Sequence, residues 1–567
     1  MRLGVLILAL ALASCARPPS PPPERIVLVT IDTWRSDAIG ASGSGKVATP
    51  NLDALAASGL YAPRAWASAT ITAPSHASIL TGIEPYRHQV RNNQGYRLPE
   101  GTPTIASELR RAGYETAAFV SAHPLRHGSG FDAGFDTFSD QVAPGNPLSV
   151  LPRSRPGAET IEAAWLWVHS APARFFLWVH LFEPHDPYEP PASYRDRYRA
   201  QPYYGEVAYV DELIGRLRAA IPNALWVVCG DHGEALGDHG EMTHGLFVYD
   251  ATARVPLIVS SPGRIVPRRL EHARLIDVLP TVLTAAGVPV PSGIDGRSLL
   301  GSSDQEARLA YVETMYAHLD FGAAPVRALS DGRIKVIDVP EREAYDLVAD
   351  PEERHNLGAT ASASGLLSRL AAQPGVPDPP NVVATAASTE ALRSLGYVGA
   401  GGGYRLGAAG MDPKRFAPIY RTLDEAHAAA LAGRFPDAAS RYASLLATFP
   451  RSAVLESEYG VLLVASGRIP EGEPHLLRAV SLDPANVHAW LGLANVAIAR
   501  GDAPLAEKRL RTLLAIDPDD VEGNFNLGLL YQQTLGRPAE ARPFWERFLT
   551  LQPDDPEASR IRGLIAK

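Results

Sequence analysis

The sequence predicts two architectures in series: an α/β domain built on a central sheet with helices on both faces, then an all-α solenoid. Three observations carry this. "RIVLVTID" (25–32), "FFLWVHLF" (175–182) and "ALWVVCGDH" (224–232) are apolar, β-branched runs with no polar alternation. Continuous runs of that length suit central strands covered on both faces. Helical patterns lie between them, such as "TPTIASELRRAGY" (102–114), where Gly113 stops the helix, and strands alternating with helices make a layered sheet. The third observation is a period. Gly433, Gly467, Gly501 and Gly536 are spaced 34, 34 and 35 residues apart, and Pro450, Pro484, Pro518 and Pro553 each follow by 17.

The chain has 567 residues, 46% hydrophobic and 20% charged, as expected for folded domains. A net charge of −9 leaves no basic footprint and excludes nucleic acid as the expected partner. Two cysteines exclude a disulfide framework. The first of them, Cys15, closes "MRLGVLILALALASC", whose apolar run is too short for a permanent membrane span. "LASC" (12–15) resembles a bacterial lipobox, which implies lipidation at Cys15 and a protein anchored in the cell envelope, facing the periplasm. A plain cleaved signal peptide is the alternative. Residues 16–24, "ARPPSPPPE", form a proline-rich tether, extended because proline fixes φ and lacks a donor.

The α/β domain is expected over 25–399, a glycine-rich linker over 400–417 and four repeats over 418–567. The repeat resembles the tetratricopeptide repeat (TPR), with Trp490, Leu493, Ala494 and Ala506 at the expected places in "AWLGLANVAIARGDAPLAEKRLRTLLAIDP" (489–518). The fourth repeat has Leu527, Gly528 and Tyr531, and its one extra residue falls in "QQTLGRP" (532–538). The resemblance implies a concave surface for a protein or peptide partner. With a flexible linker the repeats are expected to be a separate module, dispensable for chemistry on a small ester.

In open α/β sheets ligands bind beyond the carboxyl ends of the strands. Asp32 ends the first run, and Asp231 and His232 end the third. Two carboxylates and an imidazole at adjacent strand ends suit one divalent metal ion, and a nitrogen ligand favours Mn, Zn or Mg over Ca. Taken singly, a strand-end Asp is more readily a helix cap, and the metal reading rests on the set taken jointly with Thr72. In "TITAPSHASILTG" (70–82), Pro74 sits in the first turn of a helix that closes at Gly82. Thr72 therefore faces the positive end of that helix, either as its cap or as a nucleophile activated by the metal. His76 stays open between anion binding and capping. His180 reads as a core residue, His239 as an orienting residue and Cys229 as a small buried one.

Residues 25 to about 400 resemble the sulfatase family of the alkaline phosphatase superfamily, through "IDTWRSD", "TPNLDALAASG", "APSHASILTG", "FEPHDPYEPP", "DHGEALGDHGE" and "YDLVADPEERHNL". The resemblance implies that family's central sheet and a catalytic metal surrounded by Asp32, Thr72, Asp231 and His232. It also implies that His185 protonates the leaving group and that His244 touches the transferred group. Asn93, 21 residues past Thr72, would hold a non-bridging oxygen, with the adjacent Asn92 as the other candidate.

The departures are as informative. Sulfatases place a cysteine or serine where Thr72 stands and oxidise it to formylglycine. His76 replaces the motif arginine, Ser121 lies near the slot of a family lysine, and Thr33 takes the place of a second Asp. Threonine nucleophiles belong to the phosphodiesterase, phosphoglycerol-transferase and phosphoethanolamine-transferase branches. The expectation is a hydrolase or transferase of phosphate (or sulfate) esters, acting on a small molecule or an envelope glycan or lipid. An atypical sulfatase without formylglycine and an anion-binding pseudoenzyme with a repeat scaffold are the alternatives. A looser second ion at His180, His185 or His239 also stays open.

Overall fold

A computed structural model of the chain describes residues 21–93, 96–140, 154–301, 308–358, 360–375, 410–551 and 557–565. Cys15 and most of the expected linker lie outside the described residues. No helix among the described residues is long and apolar enough to cross a membrane.

The three apolar runs become β1 (Arg25–Ile31), β5 (Phe175–Leu181) and β6 (Leu225–Gly230). They are adjacent and parallel at the centre of an eight-stranded sheet of order β4-β3-β5-β1-β6-β7-β2-β8. The outer strands are β2 (Leu60–Trp66), β3 (Glu115–Val120), β4 (Thr137–Ser139), β7 (Arg254–Ser260) and β8 (Arg268–Arg269). Residues 26–31, 175–181 and 225–230 are all buried, because one apolar cluster covers each face of the sheet. Register then fixes function. Ile31 pairs with Leu181 on one side and with Gly230 on the other. The residues that follow, Asp32, Phe182 and Asp231, thus leave the sheet at one level, with neighbouring strands about 4.8 Å apart.

Helices α1 (Pro50–Ala57) and α2 (Thr72–Thr81) precede β3; α3 (Gly157–Ser170) and α4 (Pro202–Ala220) flank β5. All ten residues of α2 are buried. A second, antiparallel sheet comprises β9 (Ala310–Thr314), β10 (Val326–Ser330), β11 (Ile334–Asp338) and β12 (Glu343–Asp346). The short α5 (Tyr316–Phe321) sits between β9 and β10.

The repeats start at α6 (Pro413–Leu431) and continue as α7 (Phe435–Thr448), α8 (Ala453–Ala465), α9 (Ile469–Leu482), α10 (Val487–Ala499) and α11 (Ala503–Ile516). Then come α12 (Val521–Leu529), α13 (Pro538–Leu551) and a last short helix, Ala558–Ile565. The periodic glycines take φ of 71°, 82°, 73° and 63°, the left-handed turn that separates the two helices of each repeat. The extra residue of the fourth repeat is absorbed upstream of its glycine, where Leu530–Thr534 forms a π-helical turn. A π turn accommodates one additional residue without breaking the helix.

The expected flexible linker is not what joins the two parts at its described end. Gly410 donates to Gly322 O at 2.9 Å, and Ala324 donates to Met411 O at 2.8 Å. Helix α6 begins at Pro413, inside the span assigned to the linker. Phe416 meets Phe321 at a ring separation of 5.1 Å, and Tyr420 meets Phe321 at 5.7 Å and Tyr316 at 5.9 Å. Lys414 adds an ion pair to Glu343 at 2.9 Å. The cause is legible afterwards: Phe416, Tyr420 and Leu423 form a helical-spaced apolar face, and α5 offers one in return.

The start of the repeats is therefore docked on the α/β domain. Burying aromatic side chains of this size is worth roughly 1.5–3 kcal/mol each. A chain ending at Gly399 should show a lower melting temperature for the α/β domain by calorimetry. An unchanged melting temperature would contradict the docked arrangement.

Candidate active site and metal centre

The carboxyl edge of the sheet brings Asp32, Asp231 and His232 together, with one ligating atom of each within 4.8 Å of the others. All three are fully buried. Asp32 N donates to Leu181 O and Asp231 N to Ile31 O, so the ladder itself aims both carboxylates. Asp231 Oδ1 accepts from His232 N at 2.7 Å and from Thr33 N at 3.2 Å. Thr33 adopts a left-handed φ of 50° and bonds Pro184 O through its hydroxyl. That strained turn re-aims the chain immediately after Asp32.

Proton counting decides what the cluster can hold. Gly233 O can only accept, so the His232 Nδ1 at 3.1 Å from it carries the ring proton. The lone pair of His232 Nε2 then faces Asp32 Oδ1 and Asp231 Oδ2, each at 3.5 Å. A neighbouring network repeats the logic. His76 Nδ1 donates to Thr72 O at 2.8 Å, so its Nε2 accepts from the Thr30 hydroxyl at 3.0 Å. With Thr30's hydrogen spent there, Thr30 Oγ1 accepts from Trp178 Nε1 and from His180 Nδ1, both at 3.1 Å. His180 Nε2 is left with a lone pair, 3.6 Å from Asp32 Oδ2.

Both oxygens of Asp32, Asp231 Oδ2, His232 Nε2 and His180 Nε2 are buried and have no hydrogen-bond partner. Five acceptors converge with no donor. Burial pushes His180 down to about 3 and His232 and His76 well below the ordinary imidazole value, so these rings are neutral. Burial also drives both carboxyls up, with Glu234 adding to the effect on Asp32 and Asp32 to that on Asp231. A divalent cation resolves the conflict. Ligand atoms about 3–3.5 Å apart are what metal–ligand bonds of about 2.1 Å impose. The donor set fits the metal that the sequence predicts.

Helix α2 delivers Thr72 to this cluster. Ser75 Oγ donates to Asp231 O at 2.6 Å, and His76 Nδ1 lies 3.5 Å from Asp231 Oδ2, fixing the first turn of α2 on the carboxylate. Thr72 is the first residue of α2 and only 1% exposed. Asn93 supports the same turn, its Oδ1 accepting from Ala73 N at 2.7 Å. Because an amide N–H must meet oxygen, this bond also fixes the flip of Asn93 and makes the other atom a donor. That Nδ2 is buried without a partner. Asn92, the competing candidate, is committed elsewhere: Nδ2 donates to Asp320 Oδ1 at 2.8 Å and Oδ1 accepts from Asn93 N at 2.8 Å.

His185 and His244 complete the wall. The His232 and His244 rings are 4.5 Å apart, and those of His244 and His185 5.0 Å. His244 Nδ1 bonds Glu234 Oε1 at 3.0 Å, and His185 Nδ1 donates to Asp186 O at 2.6 Å. Burial pushes both imidazoles down to about 3, and His244 lowers His185 further.

Two expectations need correction. His76 does not face a substrate: it is 0% exposed with both ring nitrogens engaged, and it holds Thr72 to the cluster. His239 does not orient a ligand: its ring stacks on Tyr249 at 3.6 Å and Nε2 bonds Glu352 O at 3.1 Å. His180 was expected in the core; it is there, yet its Nε2 also aims at Asp32. Glu234 and Asp320 were not anticipated. Glu234 lies in the quoted "DHGE", whereas Asp320 carries no local motif.

Comparisons with known proteins agree with this geometry. Residues 24–288 match the sulfatase family model, and 237–373 match the model described as N-sulphoglucosamine sulphohydrolase, C-terminal. Tetratricopeptide models match 423–486 and 463–524. An arylsulfatase of Clostridium perfringens is 25% identical over 439 residues, covering 59% of this chain and 89% of its own. Human arylsulfatase A is 28% identical over 439 residues, covering 65% and 85%. Among solved structures, the phosphonate monoester hydrolase of Agrobacterium radiobacter superposes with a TM-score of 0.52 at 22% identity, covering 62% of this chain and 94% of that one. Fold, site and relatives define an ester hydrolase. These matches support a sulfatase-like protein of the alkaline phosphatase superfamily with C-terminal TPR repeats.

Removal of the ion should be visible in stability, because a ligand bound only by the folded state stabilises it by mass action. The two carboxyls have raised affinities for protons, and metal must displace those protons. Without metal, the raised values make the fold lose stability as pH rises through them. The melting-temperature gain from added Mn or Zn should therefore be larger at about pH 8 than at about pH 5 and vanish in Asp231→Ala. A gain equal at both pH values, or absent with every divalent ion, would contradict the metal site.

Proposed function

We propose that this protein is a metal-dependent hydrolase or transferase that cleaves phosphorus esters through Thr72. The observation that carries the reading is the unspent Asn93 Nδ2, buried beside the first turn of α2. It supports a donor for a non-bridging oxygen on the group that Thr72 attacks. When bound, the ion supplies positive charge that acidifies a hydroxyl and stabilises the anion being transferred. We favour Mn, Zn or Mg over Ca because imidazole nitrogen is part of the donor set.

The chain's own residues divide the remaining work. Thr72, at the amino end of α2, attacks the ester and keeps the transferred group until water or an alcohol resolves it. His185 is neutral in the free protein, since burial lowers it to about 3. An anionic ester nearby favours the imidazolium by Coulomb attraction, which equips His185 to protonate the leaving group. We assign His244, whose Nδ1 bonds Glu234 Oε1, to contact with the transferred group.

Phosphorus is favoured over sulfur by the chemistry of threonine. A formylglycine hydrate expels sulfate as its aldehyde re-forms, and Thr72 has no such route. A phosphorylated threonine can be attacked again at phosphorus. His76 and Ser121 support the same choice: His76 is withdrawn behind Thr72, and Ser121 Oγ bonds Thr160 Oγ1 at 2.7 Å. The sulfate reading has its own support in the relatives, which are named as sulfatases.

We also place the protein in a bacterial envelope, anchored at Cys15. Pro23 O accepts from Tyr114 OH at 2.7 Å just before β1, at the end of the sheet opposite the site. An anchor there would hold the site about 20 Å or more from the lipid, the length of a seven-residue strand. Envelope esters and a protein or peptide on the repeats are the partners this arrangement suits.

Thr72→Ala should lower kcat on aryl phosphate diesters by about 10³-fold or more, and Asn93→Ala by about 10–10³-fold. Mass spectrometry should find Thr72 unmodified in the resting protein. Efficient turnover of aryl sulfates with poor turnover of phosphate esters, or a fully active Thr72→Ala, would overturn the reading.

A further inference from the structure

Helix α6 belongs to the first repeat, yet its contacts lead to the catalytic centre. Its aromatic face, Phe416 and Tyr420, packs on α5, where Tyr420 OH also lies 3.3 Å from Tyr316 OH. Helix α5 has only six residues. So short a helix does not hold itself in water and depends on what packs against it. It carries Asp320, a buried carboxylate whose Oδ1 accepts from Asn92 Nδ2. Asn92 Oδ1 in turn accepts from Asn93 N, and Asn93 Oδ1 accepts from Ala73 N, the amide next to Thr72.

A second contact runs from the same helix. Tyr316 packs against Gly245, where an added Cβ would lie 3.4 Å from the Tyr316 ring, and Gly245 takes a φ of 98°. Gly245 O accepts from Thr314 Oγ1 at 2.5 Å. His244 is the preceding residue. Both routes end on groups that touch the reacting ester in the function proposed above.

We propose that the first repeat helix is a positioning element of the active site. Tyr420 and Phe416 fix α5, and α5 sets Asn93, and with it the amino end of α2, through Asp320 and Asn92. Tyr420 acts through other residues and touches no substrate. The consequence is that the state of the repeat array is transmitted to the site, so a partner that shifts α6 alters turnover without entering the cleft.

The test uses the full chain and two readouts, only one of which needs activity. Hydrogen exchange should be about tenfold faster over 70–75 and 91–93 in Tyr420→Ala, and near wild type in Tyr420→Phe, which keeps the ring on α5. In Tyr420→Ala, kcat on an aryl phosphate diester should fall about tenfold while KM changes less, with the repeat helices still folded by circular dichroism. In an Asn93→Ala background the same change should cost less than about twofold, because the effect passes through Asn93. Exchange changes confined to 316–321 and 410–431, or additive losses in the double variant, would overturn the proposal. If Tyr420→Ala does not fold, Tyr420→Leu keeps the apolar volume and is judged by the same exchange pattern. A wild-type protein inactive on every ester would defeat the proposed function and leave the exchange test decisive for this one.

Discussion

Five acceptor atoms without a donor, two from Asp32 and one each from Asp231, His232 and His180, set the terms for the rest of this molecule. With their ring protons spent on Gly233 O and Thr30 Oγ1, His232 and His180 cannot donate to these carboxylates, and each buried polar group left unmet costs roughly 1–3 kcal/mol or more. A divalent cation turns that cost into binding energy. The surrounding structure is arranged to keep these lone pairs aimed inward. Gly233 O takes the His232 ring proton, and Thr30 takes that of His180 while giving its own hydrogen to His76. Thr30, an unremarked strand residue, is thus the hinge of the proton inventory.

The sheet makes such convergence reproducible. Parallel pairing in register puts Asp32 and Asp231 at one level on adjacent strands, and the backbone ladder aims them before any side chain contributes. Helix α2 is then clamped to Asp231, through Ser75 on its backbone carbonyl and His76 beside its carboxylate. This gives His76 its meaning. A motif arginine in that slot would reach toward an anion; the shorter imidazole stops behind Thr72 and ties it down. The departures from the sulfatase pattern are therefore coherent: they remove fixed positive charge and leave a threonine, an amide donor and a metal site.

Much of this was legible in the sequence. The three unalternating apolar runs foretold the central strands, and the strand-end positions of Asp32, Asp231 and His232 foretold that these three side chains would meet, because both follow from local pattern and sheet geometry. The 34-residue period likewise gave the repeats, and the left-handed φ of their glycines came only with the structure. What escaped was non-local. His180 reads as core because its neighbours are apolar, and only the pairing of β5 with β1 brings it to Asp32. Asp320 lies 228 residues from Asn92, so no spacing could suggest the pair. The docking of α6 was hidden for the same reason: glycine-rich composition describes a linker's freedom and not where the helix after it lands. Asn93 could be separated from Asn92 only once Ala73 fixed the orientation of its amide.

The central claim is that Thr72 carries the transferred group and that this group is phosphoryl. The most direct measurement is an acid quench of the metal-loaded protein during turnover of an aryl phosphate diester, followed by high-resolution mass spectrometry of the peptide containing residues 70–82. The account predicts a phosphoryl adduct on Thr72 that disappears as substrate is exhausted. Turnover with no adduct at Thr72, or an adduct that instead forms from an aryl sulfate and carries sulfur, would contradict it.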